Sequence, residues 1–166
     1  MKKVIVIGCP GSGKSTFSRA LHDATSIPLI HLDMLYWNSD KTTVEKSVFR
    51  NRLFEILKKD EWIIDGNYAS TMEQRLKACD TVFFLDFPLE VCLDGIKMRN
   101  GKPRSDMPWI ETEIDNEFLK FITDFNTYAR PPIIELLNSY RNKDIYIFKS
   151  RTQADKFLEN LFRLET

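Results

Sequence analysis

Short apolar runs alternate along the chain with stretches in which apolar residues recur every three or four positions. The runs predict five strands, at 4–8, 28–32, 62–65, 81–85 and 145–148. The periodic stretches, such as 14–24 and 42–58, predict amphipathic helices between the strands. Because strands that alternate with helices form βαβ units, the pattern predicts an α/β fold whose parallel sheet has helices on both faces.

Polar residues with the spacing of capping boxes predict where three helices begin. These boxes are Thr42-x-x-Glu45, Ser70-x-x-Glu73 and Thr152-x-x-Asp155. Near the end of the chain, apolar residues at helical spacing run from 118 to 129, and two prolines follow at 131 and 132. The prolines predict that one helix stops there and that another begins and continues through Leu137.

The segment GCPGSGKS, residues 8–15, follows the first predicted strand and precedes the first predicted helix. It matches G-x-x-x-x-G-K-[ST], with Gly8, Gly13, Lys14 and Ser15 at the fixed positions. Backbone N–H groups of such a loop turn inward and bind phosphate oxygens together with the helix N-terminus. The lysine adds a positive charge near the β and γ phosphates, and the serine hydroxyl binds Mg²⁺. The sequence therefore predicts a site for ATP and Mg²⁺.

Magnesium at such a loop also needs a carboxylate that ends a neighbouring apolar strand. Asp65, after WII, and Asp86, after VFFL, both have this position, and the residues alone leave the two as alternatives. The nucleotide itself is expected to contact most of the loop and the helix start. The contacts predicted there are Gly8, Pro10, Gly11, Ser12, Gly13, Lys14, Ser15 and Thr16.

Composition restricts the partners and the surroundings of the chain. Its 166 residues carry 24 basic and 24 acidic side chains, and this zero net charge argues against direct nucleic-acid binding. The length predicts one domain over 1–166, and no apolar run reaches the length of a membrane span. The first strand begins at once, so we expect no signal peptide. Three cysteines at no metal-like spacing predict free thiols and a cytoplasmic protein.

Several stretches carry a resemblance that covers nearly the whole chain: HLDMLYW, WIIDGNY with MEQRL, DTVFFLDFPLEVCL, and GKPRSDM with RPPIIELL. They resemble the DNA topology modulation, FlaR-related family, which is similar to adenylate and shikimate kinases. The resemblance implies a three-layer α/β/α P-loop NTPase fold with a short lid and a sheet in the order 2-3-1-4-5. It also implies transfer of the γ-phosphoryl group of ATP to a small acceptor, such as a nucleotide. Between the two carboxylates, it favours Asp65 as the magnesium partner.

The same resemblance implies where the acceptor binds. Asp33, at the end of the second strand, is expected to orient the acceptor and take its proton, within an acceptor-binding segment of about 33–60. A turn cap is the alternative role for Asp33. The other acceptor contacts expected are Trp37, Gly66, Asn67, Tyr68, Arg75 and Arg130. Core packing is the alternative for the aromatic residues, and an exposed helix position is the alternative for Arg75.

A polar loop, NGKPRSDMP, predicts a basic lid over about 97–110. Arg99 and Arg104 are expected to stabilise the charge on the moving phosphoryl group when the lid closes. Similar kinases often carry an arginine one helical turn before Arg99, where this chain has Gly95, so the resemblance implies a weaker activity. Arg151, after the fifth strand, is expected to stack on adenine, or else to be an ordinary helix-entry residue.

A nucleotide-dependent regulatory or DNA-associated protein is the alternative function. In that case ATP would change the shape of the protein without phosphoryl transfer to a small molecule. The name of the resembling family favours this alternative, whereas the zero net charge and the lack of a DNA-reading helix in the sequence pattern oppose it. A bare ATPase is a third possibility.

Overall fold

The computed structural model describes residues 1–164, and they contain one sheet of five parallel strands. The strands are β1 (Lys3–Gly8), β2 (Leu29–His31), β3 (Trp62–Asp65), β4 (Thr81–Leu85) and β5 (Asp144–Phe148). Their order across the sheet is β2-β3-β1-β4-β5, as predicted. In the register, Ile5 of β1 lies opposite Ile64 of β3 and Val82 of β4.

Eight α-helices connect and surround the strands within residues 1–164. They are α1 (Lys14–Thr25), α2 (Leu32–Tyr36), α3 (Lys46–Leu57), α4 (Ala69–Ala78), α5 (Leu89–Arg99), α6 (Asn116–Asp124), α7 (Arg130–Ser139) and α8 (Arg151–Leu164). Every residue of β3 and β4 is buried, because helices cover both faces of the sheet centre. None of these helices has both the length and the apolar character of a bilayer span.

Residues 37–44 form a short hairpin where the sequence predicts the first turn of α3. Asn38 N donates to Thr42 O at 2.8 Å, and Val44 N donates to Tyr36 O at 2.9 Å. This pairing keeps Thr42 in extended chain, so the capping box predicted there is wrong. The residue that precedes α3 is Glu45, and its side chain makes no capping bond.

The other two predicted helix starts are also displaced. Helix α4 begins one residue before Ser70, so that serine lies inside the helix. Helix α8 begins at Arg151, and the Ser150 hydroxyl before it accepts a hydrogen bond from Gln153 N at 3.3 Å. The capping side chain is therefore Ser150, not Thr152. For α4 the residue before the helix is Tyr68, whose side chain makes no capping bond, and for α8 the spacing rule selects Thr152 instead of Ser150 two residues earlier.

A π-helical turn, Phe125–Ala129, joins α6 to α7. The two prolines lie in the first turn of α7, where a missing N–H breaks no helical bond. A new α-helix therefore begins where the prolines predict it, but the predicted stop is wrong, because the chain passes from α6 to α7 without leaving helical geometry. The wider turn is compatible with prolines that cannot donate to the preceding turn.

Candidate active site

The loops that follow the strands lie at one edge of the sheet and surround an open cleft of about 1040 Å³. Six parts of the chain line it. They are the P-loop (residues 8–15) with the start of α1, the start of α2, the turn after β3 (residues 65–68), the end of α5 with the lid loop (residues 100–115), α6, and the start of α8. Parallel strands place their carboxyl ends at the same edge, which is where open α/β sheets bind ligands.

Left-handed backbone at two glycines shapes the P-loop. Gly11 and Gly13 have φ angles of 82° and 94°, which residues with a side chain rarely adopt. Lys14 begins α1, and its Nζ donates to the carbonyl oxygens of Gly8 at 3.0 Å and Cys9 at 3.3 Å. Burial lowers the pKa of Lys14, although Asp65 and other acidic neighbours oppose that shift. The ammonium group thus lies across the loop, at the wall of the cleft.

Helix α5 packs directly on the P-loop, and two glycines allow this contact. A Cβ on Gly95 would lie 2.0 Å from the Gly11 carbonyl oxygen, and a Cβ on Gly11 would lie 2.0 Å from the Cys92 carbonyl oxygen. No side chain fits at either position without moving backbone. Gly95 is therefore required by packing, and the arginine that similar kinases carry there has no room in this structure.

The turn after β3 is bonded to the P-loop through one amide side chain. Asn67 Oδ1 accepts from Gly8 N at 3.1 Å, and Asn67 Nδ2 donates to Gly8 O at 2.7 Å. Asn67 lines the cleft as predicted, but both ends of its amide are committed to Gly8 rather than free for an acceptor. The two hydrogen bonds of Asn67 therefore hold the turn after β3 against the P-loop.

Oxygen atoms suited to magnesium converge beside the start of α1. The Ser15 hydroxyl donates to Asp106 Oδ2 of the lid loop at 2.7 Å, and Asp65 at the end of β3 lines the same cleft. Hydroxyl and carboxylate oxygens are the ligands that Mg²⁺ takes in proteins, so these residues fit the ion. Within residues 1–164 no three His, Cys, Asp or Glu side chains are grouped to hold a metal by themselves. An ion that arrives with a nucleotide needs only one or two protein ligands.

The carboxylate of Asp86, the second candidate for magnesium, forms ion pairs with basic side chains. It accepts from Arg130 Nε at 2.8 Å and Nη2 at 2.7 Å, and it also pairs with Lys149. Burial alone would raise the pKa of Asp86, but Arg130 and Lys149 lower it below its ordinary value. Asp86 and Arg130 both lie outside the lining of the cleft. Of the two magnesium candidates, only Asp65 lines the cleft, and Arg130 forms an ion pair with Asp86 where an acceptor contact was predicted.

Basic residues of the lid loop face the P-loop across the cleft. Arg104 pairs with Glu111 at 3.2 Å and lies 3.8 Å from Asp106, and Arg99 pairs with the same Glu111 at 3.5 Å. Burial lowers the pKa of Arg99, and the neighbouring Arg104 lowers it further. Both predicted lid arginines line the cleft. A shared glutamate therefore holds two cations at the wall of the cleft.

Arg151 lies on the opposite side of the P-loop. Its guanidinium donates to the carbonyl oxygens of Gly11 and Ser12, each at 3.3 Å, and its Cζ lies 5.8 Å from the centre of the Phe87 ring. The residue begins α8 and lines the cleft, so the structure brings it to the nucleotide side of the site.

Asp33, at the start of α2, also lines the cleft. The Tyr68 hydroxyl donates to Asp33 Oδ1 at 2.5 Å. Burial raises the pKa of Asp33, although the bond from Tyr68 and the charge of Lys14 oppose the rise. Gly66 and Tyr68 line the cleft, as predicted. Trp37 does not, because its ring packs edge-on against the ring of Trp109, with 5.3 Å between centroids.

Arg75, predicted to contact the acceptor, is fully buried behind the turn after β3. Its guanidinium donates to the carbonyl oxygens of Gly66 at 2.9 Å and Tyr68 at 3.2 Å, and also to that of Asn67. Burial lowers the pKa of Arg75 to about 10, which leaves the group charged at neutral pH. Arg75 therefore has neither the predicted acceptor contact nor the alternative role, an exposed helix position. Its buried guanidinium instead holds the backbone of the turn after β3 in place.

Three residues of the site were not predicted from the sequence. His31 Nδ1 lies 2.9 Å from Asp65 Oδ2, Arg19 Nη1 donates to Ser105 Oγ at 3.1 Å, and Asp106 bonds Ser15 as described. Burial lowers the pKa of His31, but the bond and charge of Asp65 outweigh it and raise the pKa. His31 and Asp65 end adjacent strands, β2 and β3, so only knowledge of the strand order could have paired them.

Comparisons with known proteins relate this site to P-loop kinases. No family model matches the chain. An adenylate kinase from Thermotoga maritima is 28% identical over 109 residues, which cover 61% of this chain. The match spans about half of that kinase, 49% of its length.

Solved structures match over almost the whole chain. A shikimate kinase from Bacteroides thetaiotaomicron has a TM-score of 0.60 and 19% identity, covering 97% of this chain and 96% of that one. A shikimate kinase from Acinetobacter baumannii in complex with shikimate has a TM-score of 0.64 and 16% identity, covering 99% and 92%. A gluconokinase from Sinorhizobium meliloti has a TM-score of 0.57 and 14% identity, covering 99% and 93%. The chain therefore has the adenylate kinase-like fold of small P-loop kinases.

Proposed function

We propose that this protein transfers the γ-phosphoryl group of ATP to a small acceptor. The observation that carries the proposal is the arrangement of one cleft. A P-loop with Lys14 and Ser15 forms one wall, Asp33 forms the acceptor side, Arg99 approaches from the end of α5 and Arg104 from the lid loop. This combination of phosphate-binding loop, carboxylate and cations is what phosphoryl transfer requires.

The residues of the P-loop hold and orient the nucleotide. Backbone N–H groups of the loop and the N-terminus of α1 bind phosphate oxygens, and Lys14 exchanges its bonds to Gly8 and Cys9 for bonds to the β and γ phosphates. Arg151 lies where it can pack on the adenine. Ser15 and Asp65 would hold Mg²⁺, which would neutralise negative charge on the phosphates of ATP.

Asp33 aligns the acceptor and takes its proton. The acceptor oxygen forms a bond to the γ phosphorus, the bond from that phosphorus to the β–γ bridging oxygen breaks, and ADP leaves with the electron pair. The acceptor's proton passes to the Asp33 carboxylate. Arg99 and Arg104 stabilise the charge that spreads over the transferred group.

The comparisons support this class of reaction. The proteins of similar sequence or fold are kinases of a nucleotide or of a small hydroxy compound by name. Zero net charge gives no support to a role on DNA, so the FlaR-related resemblance enters here only as kinship with small kinases.

Removal of the P-loop lysine tests the proposal. ADP formation from ATP and Mg²⁺ is measured with a panel of hydroxy compounds and nucleotides for the wild type, for Lys14→Ala and for the exposed control Lys77→Ala. We expect an acceptor that accelerates ADP release in the wild type and the control, and a loss of about 10²-fold or more in Lys14→Ala with an unchanged melting temperature. ATP-analogue binding without acceleration by any acceptor would favour the regulatory alternative, and equal turnover in Lys14→Ala would contradict the proposal.

A further inference from the structure

The charges on the cleft are separated by side. The basic residues that line it come from the P-loop, α1, the lid loop, the end of α5 and the start of α8: Lys14, Arg19, Arg99, Lys102, Arg104 and Arg151. On the acceptor side, α2 and the turn after β3 contribute Asp33, Asp65, Gly66, Asn67 and Tyr68, none of which is basic. The polyphosphate side of the cleft is therefore cationic, and the acceptor side is acidic or neutral.

The acceptor-binding segment has cations, but none of them lines the cleft. Lys41, Lys46, Arg50, Arg52, Lys58 and Lys59 are all exposed. Arg52 donates to the Leu35 carbonyl oxygen at 3.1 Å, and Lys58 pairs with Glu55 at 2.7 Å. Arg75, the basic residue predicted for the acceptor, is buried against backbone carbonyls.

Arg19 is the cation of α1 that approaches this side. Its guanidinium donates to the hydroxyls of Thr16 at 3.2 Å and Ser105 at 3.1 Å. These bonds direct it toward the lid loop. The cations whose charges act on Asp33 are Lys14 of the P-loop and Arg99 at the end of α5, and both are residues that the proposed function assigns to the phosphates of ATP. With ATP bound, an anionic group beside Asp33 would thus meet the carboxylates of Asp33 and Asp65 without a cation of its own.

One oxygen of the Asp33 carboxylate is oriented by a neighbour, and the other can accept a hydrogen bond. Oδ1 is occupied by the Tyr68 hydroxyl, and within residues 1–164 no donor to Oδ2 is recorded. Tyr68 has a φ of 37°, an unfavourable backbone for a bulky residue, and the buried Arg75 fixes it by donating to its carbonyl oxygen at 3.2 Å. This strained residue holds one carboxylate oxygen in place and leaves the other for a donor.

Carbon surface also lines the cleft. Phe118 and Phe121 of α6 contribute to it, with the Phe118 ring centre 5.8 Å from the guanidinium carbon of Arg99, and Phe121 is 48% exposed. Tyr36, Phe49 and Tyr68 pack behind Asp33, with ring centroids 5.2 to 5.4 Å apart. An acceptor with an uncharged carbon skeleton can bury against this surface, whereas an anionic one would lose hydration without gaining a cation.

We infer that the acceptor of this kinase is an uncharged hydroxy compound whose hydroxyl donates to Asp33 Oδ2, and not a nucleoside monophosphate or a carboxylate sugar. This inference rests on the proposed function and narrows its acceptor. Specificity comes from a free carboxylate oxygen and from the use of Lys14 and Arg99 by the phosphates of ATP. An anionic acceptor would then lie beside carboxylates with no further cation to neutralise it.

Matched acceptor pairs test the inference. ADP formation is measured with neutral nucleosides and sugar alcohols, with their monophosphates, and with shikimate and gluconate as carboxylate acceptors. We expect at least one neutral compound to accelerate ADP release, and its phosphorylated counterpart to be at least about tenfold poorer in kcat/KM. Acceleration by an anionic member in preference to its neutral partner overturns the inference, and so does a panel in which no neutral compound accelerates the reaction.

Variants of Tyr68 separate positioning from folding. Tyr68→Phe should raise the KM for the neutral acceptor about ten- to hundredfold, since it removes a hydrogen bond to a charged group, and should leave the Kd of a non-hydrolysable ATP analogue unchanged. Tyr140→Phe, which removes an exposed hydroxyl bonded to Glu73 at 3.0 Å, should change neither constant. An unchanged acceptor KM in Tyr68→Phe contradicts the inference. Loss of analogue binding by the wild type would instead refute the proposed function.

Discussion

Single residues decide how closely the parts of the site approach each other. Gly95 and Gly11 bring α5 and the P-loop into backbone contact, Asn67 bonds the loop to β3, and Arg75 supports the turn below them. The sequence predicts the chemistry of the loop well because its residue types are required by phosphate binding. Asn67 and Arg75 differ from the prediction because their partners are backbone groups far along the chain, which no local pattern reveals.

Gly95→Ala tests the contact between α5 and the P-loop. Helix propensity alone would make this change stabilising by about 1 kcal/mol. The added Cβ would instead lie 2.0 Å from the Gly11 carbonyl oxygen. We therefore expect a loss of about 1–3 kcal/mol in the free energy of unfolding, with weaker ATP-analogue binding. Asp94→Ala, at an exposed position of the same helix, is the control for denaturant unfolding, and a Gly95→Ala protein more stable than the wild type would disprove the contact.

Arg75→Met distinguishes support of the backbone from contact with the acceptor. The variant leaves buried carbonyl oxygens of the turn without a donor, so the free energy of unfolding should fall by about 3 kcal/mol. Lys77→Met, at an exposed position of α4, should change it by less than about 0.5 kcal/mol. A variant that unfolds like the wild type but has a raised acceptor KM would restore the role predicted from the sequence.

At the scale of elements, the strands are predicted more accurately than the helix starts. Apolar runs define β3 and β4 to the residue, since both are buried on every side. The start of α3 is misplaced because of hairpin pairing, and that of α8 because Ser150 caps the helix in place of Thr152. Helix α4 starts after Tyr68 with no side-chain cap, so the capping pattern does not apply there. Asp106 lies within the predicted lid, but its bond to Ser15 depends on how the lid loop folds over α1.

The ion pairs of Asp86 connect the end of β4 to α7 and to the loop after β5. They lower the pKa of Asp86, so their stabilisation is present above the ordinary pKa of an aspartate and is lost as pH falls through the lowered value. Asp86→Asn should cost about 1–3 kcal/mol at pH 7, since one partner, Lys149, is largely exposed.

Denaturant unfolding between pH 7 and pH 3 checks this element. The gap in stability between the wild type and Asp86→Asn should be constant near neutrality and should shrink only below about pH 4. Asp94→Asn, which removes an exposed carboxylate, serves as the control and should show little effect at any pH. A gap that grows toward low pH would mean that the cations do not stabilise the ionised carboxylate.

At the scale of the molecule, the alternation of strands and helices predicts the class of fold, and the resemblance to small kinases supplies the strand order that the structure has. The parallel sheet collects the P-loop, Asp33 and Asp65 at one edge, although they are far apart in sequence. What the sequence could not predict is the separation of charge across the cleft. The distribution of charge depends on which basic side chains line the cleft and which are exposed elsewhere. It is the basis on which we infer an uncharged acceptor.

Binding of a polyphosphate at the P-loop is the claim on which the whole account depends. Isothermal titration of the protein with a non-hydrolysable ATP analogue and Mg²⁺ tests it directly, with Lys14→Ala and Lys77→Ala titrated in parallel. The account predicts saturable binding at one site per chain in the wild type and in Lys77→Ala, and a loss of at least about tenfold in affinity in Lys14→Ala. No heat of binding in the wild type, or equal affinity in Lys14→Ala, would contradict it.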